Sequence, residues 1–257
     1  MIYTYQKKLK GEKVGVVFGT FAPLHQGHLD VIMRAKKECD AGCVVIVDGR
    51  EGDRGGELMP LKKRYRYVRE FFADDELVAV YPIDETELGI KAYPNGWKKF
   101  MAAVEEIIEQ AALMCEVVFY VSEEEYATHL ESLGYEVVKL DRTENPISAT
   151  MIRQNPIKYW DKITYPFRRV FSTNILICGT ASEGKTSLVK DLGKYFNAPY
   201  SHEYARDYMK ESSISEWELD GADYLAFLDG QYQMNKKLIN SPSNQGIFFA
   251  DSDSMTT

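Results

Sequence analysis

His25 and His28 lie three residues apart where a glycine-containing loop gives way to a helix, a spacing that lets both imidazoles face one ligand at the helix N-terminus. Unpaired N–H groups and the positive end of the helix dipole attract anions there, and Gly19 and Gly27 permit a close backbone approach. Imidazole donors at such a point stabilise charge on a pentavalent phosphorus, so the pair reads as a phosphate-transfer site to which Thr20 adds a hydroxyl donor. Two histidines alone are as readily ordinary half-buried side chains. Context favours chemistry: the string at 19–28 directly follows an apolar strand and carries glycines and a proline at turn positions.

Two further clusters point to phosphate. In Ile147-Ser-Ala-Thr-Met-Ile-Arg153, Ser148 or Thr150 caps a helix and Arg153 projects from its first turn toward a polyphosphate, although a plain helix cap uses the same residues. Gly179-Thr-Ala-Ser-Glu-Gly-Lys-Thr186 fits G-x-x-x-x-G-K-[ST] between an apolar strand and a helix. There the amides of a loop opened by Gly179 and Gly184 cradle phosphates, Lys185 reaches the β- and γ-phosphates, and Thr186 ligates magnesium. Downstream, Ile247-Phe-Phe-Ala-Asp251 is an apolar strand ending in an acid, which makes Asp251 a second magnesium candidate.

The elements that must hold these residues alternate. Apolar runs at 14–18, 44–47, 77–81, 117–121 and 136–140 predict strands, and residues 27–39, 61–72, 97–114 and 123–133 predict helices between them. Such alternation predicts a parallel sheet covered on both faces. A stretch at 155–172, rich in proline and aromatics, interrupts the pattern, and a second α/β pattern starts with a strand at 174–178, a helix to 196 and a strand at 246–250. The expected layout is a tail at 1–13, one domain at 14–154, a junction at 155–172 and a second domain at 173–257.

Composition sets outer limits. The 257 residues are 45% hydrophobic and 27% charged, as in an ordinary folded protein of two modest domains. A formal charge of -8 argues against DNA binding by wholesale phosphate neutralisation, and no apolar run approaches the ~20 residues that span a bilayer. Cys39, Cys43, Cys115 and Cys178 lack zinc-site spacing and are expected to be buried, reduced thiols in a cytoplasmic protein. A homo-oligomer is compatible with these numbers.

The string at 19–28 resembles the (H/T)xGH signature of the nucleotidyltransferase superfamily, and the segment ending at Arg153 resembles its second signature, ISxTxxR. Residues 48–55, 61–69, 93–97 and 141–142 look like segments of the NadR-type bifunctional proteins, which join nicotinamide-nucleotide adenylyltransferase to ribosylnicotinamide kinase. The resemblance covers nearly the whole chain. It implies a Rossmann-like α/β nucleotidyltransferase domain followed by a P-loop kinase domain, with ATP and nicotinamide mononucleotide giving NAD and diphosphate in the presence of Mg2+. It implies that His25 and His28 hold the reacting phosphates while Ser148, Thr150 and Arg153 grip the β- and γ-phosphates. It also implies that Trp97 stacks on nicotinamide, Arg54 meets a phosphate, and Glu203 and Arg206 contact nicotinamide riboside. Only about 85 residues follow the junction, so a partial kinase domain with exposed sheet and helix faces is expected. The competing readings are an NAD-responsive DNA-binding regulator, a nucleotide sensor, and another adenylyl- or cytidylyltransferase. The short segment before the first strand leaves no room for a helix-turn-helix, which disfavours the regulator.

Overall fold

A computed structural model describes residues 7–140, 146–180 and 182–252. The chain divides into two compact units, Met1–Phe167 and Arg168–Thr257.

Unit 1 is built on five parallel strands: β1 (Lys13–Gly19), β2 (Cys43–Gly49), β3 (Val78–Asp84), β4 (Glu116–Val121) and β5 (Glu136–Lys139), in the order β3-β2-β1-β4-β5. Successive residues of β2 are buried on both faces, as parallel strands sandwiched between helices must be. The intervening helices are α1 (Gln26–Glu38), α2 (Leu61–Phe71), α3 (Trp97–Ala111) and α4 (Glu124–Ser132), close to the expected spans. Gly15 lets α1 lie directly on β1: a Cβ at this position would stand 2.8 Å from that of Ala35. Strand order reverses between β1 and β4, and such a switch point opens a crevice at the carboxyl ends of the strands.

The chain then forms α5 (Ala149–Gln154) and α6 (Tyr165–Phe171). The expected junction contributes to unit 1: Ile163, Thr164 and Phe167 are buried, and Thr164 donates to the Leu24 carbonyl from its hydroxyl at 3.1 Å. His25 and Ile163 also form an isolated antiparallel bridge. No local pattern reveals this return, because both partners lie in irregular chain.

Unit 2 carries three parallel strands, β6 (Thr173–Leu176), β7 (Tyr200–Ser201) and β8 (Ile247–Ala250), in the order β6-β8-β7. Its helices are α7 (Lys185–Tyr195), α8 (Tyr204–Ser212) and α9 (Gly221–Ile239). β6 ends two residues before Cys178, which is exposed, and Cys115 is only half-buried, so burial is the fate of Cys39 and Cys43 alone. Leu188, Phe196, Tyr224 and Leu225 are exposed on this unit. No described helix is long and apolar enough to cross a membrane.

Candidate active site

The crevice of unit 1 is a cleft of about 1120 Å³, lined by Gly19, Thr20, His25, Gly27, His28, Arg54, Trp97, Ser148, Thr150 and Arg153. All the candidate residues of the first two signatures therefore meet, although more than a hundred positions separate them. Asp141 and Arg142 lie outside the described residues.

The histidine-bearing end begins where β1 stops. Phe21 is held at φ 46°, a left-handed conformation that turns the chain sharply before α1. His25 caps α1: its Nδ1 accepts the Gly27 N–H at 3.1 Å, which places the proton of the neutral ring on Nε2. A Cβ on Gly27 would press within 3.2 Å of that ring, so glycine here serves the cap. The His28 ring stacks on His25 with centroids 3.8 Å apart and is braced edge-on by Phe21.

Beside this loop Ser148 caps α5 by accepting the Met151 N–H at 3.2 Å. Arg153 stands in the last turn of this six-residue helix, not the first as expected, and reaches back to Thr150 Oγ1 at 3.1 Å and to the Ala22 carbonyl. Burial, and then the nearby Arg54 cation, lowers the pKa of Arg153, as for two guanidinium groups that share one pocket. Thr150 and Arg54 remain exposed to a ligand.

The other end is aromatic. Trp97 stacks on Tyr126 at 5.5 Å and 8° and on Phe100 at 5.8 Å, with Tyr93 edge-on at 5.7 Å. Its indole N–H is buried with no hydrogen-bond acceptor among the described residues.

Acids at the ends of β2 and β3 escaped the sequence reading. Asp48 lines the cleft and accepts the Thr20 hydroxyl at 3.2 Å; burial and the neighbouring Glu85 push its pKa up to about 7. Glu85 is also raised by burial, against the pull of Arg50, its ion-pair partner at 2.9 Å. Asp53 behaves oppositely. Burial works against its charge, yet hydrogen bonds from Arg64 and the Gly55 N–H hold it below the ordinary carboxylate range. Arg64 is fully buried and binds both Asp53 oxygens, at 3.0 and 2.6 Å, as well as the Met59 and Asp48 carbonyls. Only a juxtaposition of strand ends identifies Asp48, and the Arg64–Asp53 pair, eleven positions apart, likewise follows from the fold rather than from a local pattern.

In unit 2 the loop between β6 and α7 turns at Gly184, φ 85°, and Lys185 folds over it to donate to the Thr180 carbonyl at 2.8 Å. β8 runs beside β6, so Asp251 emerges next to the loop and accepts the Thr186 hydroxyl. Its other carboxylate oxygen, Oδ1, is buried without a hydrogen-bond donor among the described residues. Arg206 reaches Thr186 Oγ1 at 3.4 Å and pairs with Glu203 at 3.0 Å, which brings the candidates of α8 to the loop that begins at Gly179.

The cytidylyltransferase-like family model matches residues 16–155, and an AAA domain model matches residues 174–257. The "Trifunctional NAD biosynthesis/regulator protein NadR" of Salmonella typhimurium is 28% identical over 256 residues, 96% of this chain and 62% of its own length. The chain thus spans about 62% of that curated relative. A crystal structure of NadR protein in complex with NR is 41% identical with a TM-score of 0.79, covering 97% of this chain and 70% of that one. Another, in complex with NAD and AMP-PNP, is 41% identical with a TM-score of 0.75 over 96% of this chain and 71% of that one. A crevice floored by the histidine loop, closed by the arginine helix and joined in sequence to a phosphate-loop unit thus has counterparts along the same course of chain, and the protein belongs to the cytidylyltransferase-like family and, within it, to the NadR proteins.

Proposed function

We propose that unit 1 transfers the adenylyl group of ATP to nicotinamide mononucleotide, giving NAD and diphosphate. A phosphate oxygen of the mononucleotide attacks the α-phosphorus in line, a new P–O–P bridge forms, and the bond to the β-phosphate breaks with diphosphate leaving. No protein nucleophile is needed; positioning and charge stabilisation suffice. The Nε2–H of His25 and the His28 ring meet the oxygens of the reacting phosphate. Arg153, Thr150 and Ser148 take the departing diphosphate, Arg54 meets the phosphate of the mononucleotide, and the aromatic group around Trp97 takes the nicotinamide.

One observation carries this reading: a single cleft joins a cationic, imidazole-lined end to an aromatic end, the two chemistries a mononucleotide presents. The test is NAD formation from ATP and nicotinamide mononucleotide with magnesium. His28→Ala is expected to lower kcat by about 10²–10³, the effect of deleting one preorganised donor. Full activity in this variant, or no NAD from the unaltered chain, overturns the assignment.

A second reading concerns unit 2, for which the pairing of Thr186 with Asp251 beside Lys185 supports ATP binding and phosphorylation of nicotinamide riboside. A threonine hydroxyl and a carboxylate with one unengaged buried oxygen suit magnesium. When bound, that ion neutralises phosphate charge. Glu203 and Arg206 stand at the riboside end. Transfer of labelled γ-phosphate to the riboside, abolished in Lys185→Ala with adenylyl transfer intact, tests it.

A further inference from the structure

Three acids gather at the β2–β3 side of the unit 1 cleft, and two are accounted for. Asp53 is saturated by Arg64 and backbone N–H groups, and Glu85 is paired with Arg50. Asp48 makes no ion pair among the described residues: Arg64 pulls on it only from a distance, holding its backbone carbonyl, and its carboxylate takes only the Thr20 hydroxyl, on Oδ1. A carboxylate half-withdrawn from water with one weak partner is costly to keep, and that cost is recovered when a ligand supplies donors.

Its position restricts what that ligand offers. Thr20 ties Asp48 to the phosphate end, while Asp48 and Arg54 both act electrostatically on the hydroxyl of Tyr126, which stacks on Trp97 at the aromatic end. Between the phosphate and the base of a nucleotide lies its sugar. A phosphate would be repelled by Asp48, and the N–H donors of a base or carboxamide belong farther along, at the aromatic end. A ribose diol offers two adjacent O–H donors, which one carboxylate can accept together.

Two sugars enter such a reaction, and topology separates them. Asp48 ends β2, on the half of the sheet that also carries β3, whereas Ser148, Thr150 and Arg153, the groups assigned to the ATP phosphates, follow β5 on the opposite half. We propose that Asp48 binds the ribose hydroxyls of the acceptor mononucleotide. This rests on the adenylyl-transfer reading for the identity of the acceptor, though not for the recognition of a sugar.

The test is calorimetric titration of the full chain with nicotinamide mononucleotide and with its 2′-deoxy and 3′-deoxy analogues. The unaltered protein is expected to bind at least one deoxy form about 10-fold or more weakly, the loss of a charge-assisted hydrogen bond. Asp48→Ala should weaken the parent mononucleotide by a similar factor and abolish the discrimination, leaving ATP affinity unchanged. Should the alanine variant fold poorly, Asp48→Asn reads the same discrimination with the shape preserved. A second signature is pH: in the unaltered chain affinity for the mononucleotide should rise with pH through about 7, as Asp48 ionises among Glu85, Asp53, Arg64 and Tyr126, and the Asp48→Asn profile should lose that step.

Undiminished discrimination in the variants overturns the proposal, as does an equal weakening of ATP and all mononucleotides, which would make Asp48 a positioning residue for Thr20. Absence of binding by any mononucleotide overturns it together with the functional reading. Binding with Asp48-dependent ribose discrimination but without NAD formation upholds the proposal and sinks the reaction assigned above.

Discussion

Each unit places a glycine-containing loop that leads into a helix after the first strand of its sheet, but the two loops are supported by different chemistry. In unit 1 the support is apolar: Val14, Val16, Val44 and Ile46 are fully buried, and five strand ends deliver the cleft residues. In unit 2 the contiguous apolar core is small, centred on Val189, Ala198 and Phe249, and hydrogen bonds take over. Gln231 accepts the Tyr204 N–H at 2.7 Å and donates to the His202 carbonyl, while Asn235 accepts the Ser201 hydroxyl at 2.8 Å. This network fixes the start of α8, and hence Glu203 and Arg206. Apolar packing tolerates changes of shape if volume is kept, whereas a buried polar network fails when one member is lost.

Unit 1 also buries polar groups, and breaking the most deeply buried of them should have the largest effect. Arg64 is a buried cation within the apolar unit, so Arg64→Ala, which strands Asp53, is expected to cost about 3–5 kcal/mol. Thermal denaturation should show this as a large fall in the midpoint of unfolding. Gln231→Ala sharpens the other side: an unpaired Tyr204 N–H and a small cavity should cost about 2–3 kcal/mol, measured by denaturant unfolding.

Asp48→Asn probes a cost that unit 1 bears for its site. A carboxyl with a raised folded pKa keeps its proton where the unfolded chain has lost it, so stability falls as pH climbs from about 4 to about 7 and stays lower above. The variant should exceed the unaltered protein by about 2 kcal/mol at pH 8, allowing for solvent screening, and match it near pH 4. Smallest is Ser148→Ala, the loss of one cap, at about 1 kcal/mol, measured in the same denaturant titrations.

The same contrast explains what could be read from the chain. β1 through β5 and α1 through α4 were legible because apolar periodicity records burial, and the histidine string was legible because its turn chemistry is local. α9 left no such trace. Its buried face is Phe227, Gln231 and Asn235, spaced i, i+4 and i+8 but mostly polar, so the hydrophobic period is missing from a 19-residue helix. Two-residue β7 is too short to announce itself. Within the site, the histidines and Arg153 could be expected from their motifs; that His25 serves as a helix cap, and that Asp48 is the uncompensated acid among three, are properties of distant neighbours. Arg153 at the end of its helix shows the limit of placing side chains by motif when the helix is only six residues long.

The bridge between His25 and Ile163, with Thr164 holding the Leu24 carbonyl, also sets how this protein can be cut. A fragment ending at residue 154 keeps every residue of both signatures, yet it discards the clamp on the loop that carries the histidines and the fully buried Phe167. The shortest fragment in which unit 1 folds with its loop held should therefore extend through residue 167. Its outermost segment works as a latch on its innermost loop.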